Sequence, residues 1–306
     1  MDYSRYPANK DYAFAEFERA GVAPGFADAA PKQKRLLSPF RYPGGKSWLR
    51  PFIQQWLAGG VDHLVEAFAG GGSVTLMSVS EGLAKRATMI ELDEEVAAVW
   101  DAALNGQAEW LCQQLKSFKV QRKTVLEQLG RRPRSTRRRA WLTLLRNRMN
   151  HGGILAPGAG LLKRGEDDNG LKSRWYPDTL AARIRSINKL KDRISFISGD
   201  GLEWLEKQAD ELNKQSSATF IDPPYPNVGR RLYACGTIDH RRLFQVAERL
   251  KNRVLLTYND SSEIRALAAE YGFSFRAVKM LTRQNLTKTE LLLAKNFDWL
   301  TDQDER

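Results

Sequence analysis

The feature that most constrains the fold is a succession of short apolar runs with helical stretches between them. DHLVEAF (62–68) reads as a buried strand. It runs straight into AGGGS, and SVTLMSVSEGL then reads as a helix. RATMIEL (86–92), ISFISGD (194–200), SATFIDPPY (217–225) and RVLLTYND (253–260) read as further strands, the last followed by the helical SSEIRALAAEYG. FSFRAVKML and TELLLAKN read as a closing antiparallel pair. Strands alternating with helices specify an open α/β sheet, here expected to carry helices on both faces. Hydrophobic residues make up 42% of the 306, enough for a sizeable core.

One segment interrupts the alternation. Residues 94–130 read as helical, with Val96, Val99, Trp100, Ala103 and Leu104 at helical spacing. RRPRSTRRR (131–139) then leads into TRRRAWLTLLRNRMN, where Trp141, Leu144, Leu145 and Met149 recur at the same period. Residues 150–178, rich in Gly, Pro, Asp and Asn, read as loops. Residues 1–37 show no clear period and read as an extension. The expected division is therefore 1–37 as extension, 38–100 with 191–300 as the sheet domain, and 101–190 as a mainly helical insertion.

Charge singles out the same insertion. The formal net charge is +12, and residues 101–200 carry 21 Lys and Arg against 9 Asp and Glu, so the whole excess lies there. A one-sided basic field concentrates polyanions, and arginine suits phosphates and base edges better than lysine does. Arg137, Arg138, Arg139, Arg146 and Arg148 lie on or beside one helical stretch and are the candidate nucleic-acid contacts; each is more readily a phosphate contact or plain surface than a base reader. Two cysteines, Cys112 and Cys235, cannot form a disulfide framework or a zinc cluster, and no His, Cys and carboxylate cluster has metal-ligand spacing, so no metal is expected. No apolar run approaches a membrane span, and the N-terminal residues lack an apolar signal core, so the expectation is a cytoplasmic protein.

Four constellations carry chemistry. In FRYPGGKSWL, Gly44, Gly45, Lys46 and Ser47 resemble the tail of a phosphate-binding loop, but the first glycine of that pattern falls on Phe40, and Pro39 and Pro43 break the strand that should precede it. In EAFAGGG (66–72) a strand turns on glycines into a helix, which suits either close approach to a ligand or a plain turn. IELDEE (90–95) places Glu91 and Asp93 about 20 residues beyond that turn, the distance at which an acid meets a ribose; Asp93 equally suits a helix N-cap. DPPY (222–225) is the most specific. Its prolines remove backbone donors, Asp222 adds a carboxylate at a strand's carboxyl end, and Tyr225 adds an aromatic face. Together they make a clamp for a planar amino group.

The order FRYPGGK, EAFAGGGS, IELD, SGD, DPPY resembles the Dam-like (D12) class of DNA adenine-N6 methyltransferases, from residue 39 to about 296. NRMNHGG (147–153), GRRLYACGTIDHRRL and KTELLLAKN extend the resemblance. It implies a Rossmann-like methyltransferase sheet, S-adenosylmethionine as cofactor and double-stranded DNA as partner, read by the insertion. A cognate restriction enzyme is a partner that such enzymes can have, and a monomer is expected. By the resemblance, Tyr42, Gly44, Gly45 and Lys46 pack over the cofactor, with Lys46 facing its carboxylate. Phe68, Gly70 and Gly72 form the turn beneath it, Glu91 takes the ribose where the family usually has aspartate, and Asp200 lies near the cofactor adenine. Asp222, Pro223 and Tyr225 hold the flipped target base. An RNA adenine methyltransferase and a catalytically silent DNA-binding regulator are the alternatives. His63 and His151 are expected to be structural or surface residues, and Asp239 to cap a helix.

Overall fold

The computed structural model describes residues 38–41, 45–156, 158–163, 170–225, 238–281 and 287–301. The strands among them are β1 (Val61–Glu66), β2 (Ala84–Glu91), β3 (Ile194–Ser198), β4 (Ser217–Ile221), β5 (Arg253–Asn259), β6 (Ser274–Leu281) and β7 (Thr287–Ala294). They form one sheet in the order β3-β2-β1-β4-β5-β7-β6. β1 to β5 are parallel, and β7 runs antiparallel to both β5 and β6. The chain leaves β1 towards β2 and β3, then returns to the other side of β1 for β4 and β5. The strand order therefore reverses between β1 and β4, where an open α/β sheet leaves a crevice at its carboxyl edge.

The described α-helices are α1 (Arg50–Trp56), α2 (Ser73–Ser80), α3 (Glu94–Leu104), α4 (Ala108–Ser117), α5 (Arg122–Leu129), α6 (Thr136–Met149), α7 (Pro177–Asn188), α8 (Gly201–Leu212), α9 (His240–Arg249) and α10 (Ser262–Glu270). The two-residue period of the strands sorts the core into two layers. Leu64, Met89, Phe220 and Leu255 join the layer that holds Ile53, Leu76 and Val99 of α1, α2 and α3. Their neighbours Val65, Ile90, Ile221 and Leu256 join the layer that holds Leu205, Phe244 and Ile264 of α8, α9 and α10. The result is a Rossmann-like α/β sheet with helices on both faces and a closing antiparallel pair, as the sequence pattern implied.

The basic insertion does not stand apart from this core. Trp141 of α6 meets Phe118 and Trp175 edge-on, at centroid separations of 5.2 Å and 6.0 Å. The same apolar cluster runs from Leu64 through Trp100 to Leu145 and Ile184. The stretch 94–130 is not one helix but three. Gly106, at φ +90, breaks the first, and residues 118–121 separate the second from the third.

NRMNHGG forms a clamp rather than a nucleic-acid surface. Buried Asn147 accepts the Arg41 N–H at 2.9 Å and donates to the carbonyls of Arg41 (3.0 Å) and Gly153 (2.7 Å). Arg148, also buried, donates to the Pro39 carbonyl at 2.7 Å. Gly153 is required here: at φ +73, an added Cβ would lie 2.5 Å from the Arg41 carbonyl oxygen. The end of α6 thus holds the backbone of Pro39 and Arg41. Among the described residues, no helix is long and apolar enough to cross a membrane.

Candidate active site

The glycine turn lies at the carboxyl end of β1. Gly70 (φ +46) and Gly72 (φ +62) take left-handed conformations that glycine adopts without strain. Gly72 also lacks room for a side chain, because an added Cβ would lie 2.6 Å from Met89 Cε and 2.7 Å from Trp100 Cζ2. Trp100 Nε1 donates to the Gly70 carbonyl at 2.9 Å and holds the turn against α3. Phe68 is half-buried against the second core layer.

Glu91 ends β2 and reaches the turn. It accepts the Gly70 N–H at 2.7 Å and the Asp93 N–H at 2.8 Å. Burial pushes its carboxyl up to about 7, against the pull of those two N–H groups. Asp93 is the N-cap of α3, its Oδ1 accepting from the Glu95 and Val96 amides at 2.8 and 3.4 Å. Asp200 caps α8 in the same way, through Oδ1 to Leu202 N–H (2.8 Å) and Glu203 N–H (3.2 Å). An added Cβ at Gly201 would lie 1.8 Å from the Ala67 carbonyl oxygen, so the start of α8 abuts the end of β1.

Across the switch point, Asp222 ends β4 in a nest of donors. Lys46 Nζ lies 2.9 Å from Oδ2, Thr257 Oγ1 donates to Oδ1 at 2.7 Å, and the Tyr225 hydroxyl donates to Oδ1 at 3.1 Å. A carboxylate has about four lone-pair sites. Oδ1 takes two of these donors and Oδ2 takes one, which directs any further donor to Oδ2. Lys46 is buried, lies 3.7 Å from Glu290 Oε2, and sits 5.2 Å from the Tyr225 ring centroid. Its backbone N–H donates to Ser73 Oγ at 3.1 Å and so ties it to the start of α2. Lys46, expected to face a cofactor carboxylate, here bridges two carboxylates of the protein. Gly45 beside it is exposed; Tyr42 and Gly44 lie outside the described residues.

The Tyr225 ring stacks on Tyr258 (5.9 Å, 30°), which stacks in turn on Phe244 (5.8 Å, 22°). Burial first, then the Asp222 charge, holds the Tyr225 phenol well above its usual pKa, so it is a donor at any physiological pH. Pro223 is buried. Glu66, at the end of β1, is buried and accepts the Thr75 N–H at 2.8 Å; burial, with a smaller push from the Asp222 charge, raises its carboxyl to about 7. The sequence reading missed Glu66, Thr257, Tyr258 and Glu290. Glu66 and Glu290 stood inside the quoted motifs EAFAGGG and KTELLLAKN, where nothing local marked them as buried.

The candidate arginines fall into distinct environments. Arg139 pairs with Glu94 at 2.6 Å and Arg146 pairs with Glu95. Arg138 donates to Gln128 at 2.6 Å, and the exposed Arg137 lies 5.1 Å over the Trp110 ring. Arg148 is buried in the clamp described above. A cleft of about 840 Å³ opens between the start of α3, α5 and the loop after α6, lined by Leu92, Glu95, Leu126, Leu129, Arg146 and Leu161 among others. It adjoins Glu91 but does not reach Asp222. His63 is structural as expected, its Nε2 at 2.9 Å from Thr88 Oγ1, and Asp239 caps α9 through Arg242 N–H at 3.0 Å. Cys112 is a buried free thiol, and Cys235 lies outside the described residues. No group of three metal-ligating side chains occurs among the described residues.

No family model matches the sequence, and no curated protein does either. Solved structures do. An rRNA methyltransferase from Streptomyces viridochromogenes is 13% identical over 83% of this chain and 86% of that one, with a TM-score of 0.39. A precorrin-6y C5,15-methyltransferase from Geobacter metallireducens is 10% identical over 80% and 86%, with a TM-score of 0.35. A precorrin-8w decarboxylase from Methanobacterium thermoautotrophicum is 12% identical over 83% and 93%, with a TM-score of 0.34. Likeness this low leaves activity and substrate to be read from the chain's own residues.

Proposed function

We propose that this chain is an S-adenosylmethionine-dependent methyltransferase of the Dam-like class, acting on the N6 amino group of an adenine flipped out of double-stranded DNA. One observation carries the reading. Asp222-Pro223 closes β4 directly across the switch point from the glycine turn and Glu91, so an amino-group acceptor and a ribose acceptor face the same crevice.

The residues fit the cofactor by the chemistry of their donors and acceptors. Glu91 has lone pairs beyond those taken by Gly70 and Asp93, in the position for a vicinal diol. Asp200 spends only Oδ1 on its helix cap. S-adenosylmethionine supplies an electrophilic methyl group on a sulfonium.

The protein's part is to make N6 a nucleophile. The lone pair of N6 is delocalised into the adenine ring. Asp222 Oδ2 and the Pro223 carbonyl accept its two N–H groups and draw the nitrogen towards tetrahedral geometry. Lys46 and Thr257 hold the Asp222 carboxylate in that orientation, so little reorganisation is needed at reaction. Asp222 Oδ2 then holds the proton that N6 gives up as it takes the methyl group. Unstacking the base costs a few kcal/mol, offset by stacking in the pocket of Tyr225. In the described conformation the Tyr225 hydroxyl occupies Asp222 Oδ1, so the target amino group approaches from the Oδ2 side.

Expression in a methylation-deficient bacterial host, with genomic DNA read by modification-sensitive long-read sequencing, tests this directly. N6-methyladenine at one short motif, absent from an Asp222→Ala strain, is the expected result. Unmarked DNA together with methyl transfer to RNA by the purified protein would move the substrate to RNA. Transfer to neither would overturn the reading.

A further inference from the structure

The arginine run 131–139 is split by the fold into an inner and an outer tier. The inner tier is spent on neighbouring side chains of the protein: Arg138 on Gln128, Arg139 on Glu94 at the surface, and further along α6 Arg146 on Glu95. Two of these pairs neutralise the carboxylates that open α3, beside Glu91. Unpaired, those acids would repel a phosphate backbone from the mouth of the crevice. The outer tier is Arg131, Arg132 and Arg134. All three are exposed, and their side chains have no hydrogen-bond or ion-pair partner among the described residues.

Their loop is built to present them. α5 ends at Leu129, Ser135 starts α6 by accepting the Arg138 N–H at 3.4 Å, and Pro133 between them prevents the two helices from fusing. α5 also supplies Leu126 and Leu129 to the wall of the cleft beside Glu91. Leu126 remains 50% exposed and Leu92, on the facing wall, 46% exposed. Unpaired arginines therefore stand at the end of an apolar wall of this cleft, where Glu94 and Glu95 already have arginine partners.

We propose that Arg131, Arg132 and Arg134 form the phosphate-contacting surface for duplex DNA, while Arg139 and Arg146 act as counter-ions to Glu94 and Glu95 and do not touch the ligand. This deepens the methyltransferase reading and rests on it for the identity of the polyanion. Because the three side chains have no partners, replacing them leaves the fold intact, and thermal melts of the variant should match the parent.

The test is equilibrium binding of a fluorescent DNA duplex, without cofactor, across a range of salt concentrations. The triple variant Arg131→Gln, Arg132→Gln, Arg134→Gln should bind more weakly, and its slope of log K against log salt should be shallower by about 2 to 3, near 0.9 per lost phosphate contact. Parental affinity and slope in the triple variant would overturn the proposal. Binding of an RNA duplex with no binding of the DNA duplex would overturn the assignment to DNA. A shallower slope in the variant, from a parent that methylates no nucleic acid, would keep this surface and remove only the enzymatic reading.

Discussion

Lys46 is buried between Asp222 and Glu290, with its ammonium 2.9 Å and 3.7 Å from their oxygens. Replacing it by an uncharged residue of similar length strands two acids beside each other. Lys46→Met should therefore cost about 3–5 kcal/mol in urea unfolding, and adding Glu290→Gln should recover part of that loss. Glu66 gives a pH signature. Its carboxyl, raised from 4.5 to about 7, binds a proton more tightly in the folded chain than in the unfolded one. Stability from this group is therefore present at low pH and is lost as pH rises from about 4.5 through 7, by on the order of 3 kcal/mol. His63, lowered to about 4 by burial, acts in the opposite sense over an overlapping range. The difference in unfolding free energy between the parent and Glu66→Gln, measured from pH 4 to 8, isolates the glutamate; a flat difference would refute its raised pKa. Asp222, Lys46 and Glu91 could be singled out in the sequence because each stands in a short run whose chemistry is local, but the pairing of Lys46 with two carboxylates of the protein could not. Glu290 was not, because only the pairing of β7 with β5, across Asn259, brings it within reach of residue 46.

At the scale of elements, two glycines separate strain from collision. Gly72 has a left-handed φ, and its would-be neighbours are a methionine tip and a tryptophan edge; Gly201 faces the Ala67 carbonyl itself. Side chains yield more readily than backbone, so in urea unfolding Gly201→Ala should destabilise the fold more than Gly72→Ala, which should cost about 1–3 kcal/mol. Asp93→Ala should remove the cap of α3 at a cost of about 1 kcal/mol. All seven strands were readable, and the runs of β1 to β5 end in acids, prolines or glycines. The helices of the insertion were less so. Residues 94–130 carry enough helical period to mask the break at Gly106, and α7 begins at Pro177, at the end of a stretch whose Gly, Pro and Asp content reads as loop.

For the whole molecule, the shared core decides how it unfolds. One apolar cluster joins the sheet to α4, α6 and α7, so 101–190 should not unfold separately. Trp141→Ala should cost about 3–5 kcal/mol, and the parent's far-ultraviolet and tryptophan-fluorescence melts should coincide. Charge asymmetry exposed the insertion in the sequence, but continuity of core did not show there, because it depends on which helix faces meet. The Asn147 clamp gives this continuity a mechanical meaning. α6 begins at the proposed DNA-facing loop and ends on the backbone of Pro39 and Arg41, a few residues before Lys46 in the sequence. One helix therefore joins the two regions that the proposed function needs, the loop that would meet the nucleic acid and the approach to Lys46, so a lesion anywhere along it bears on both.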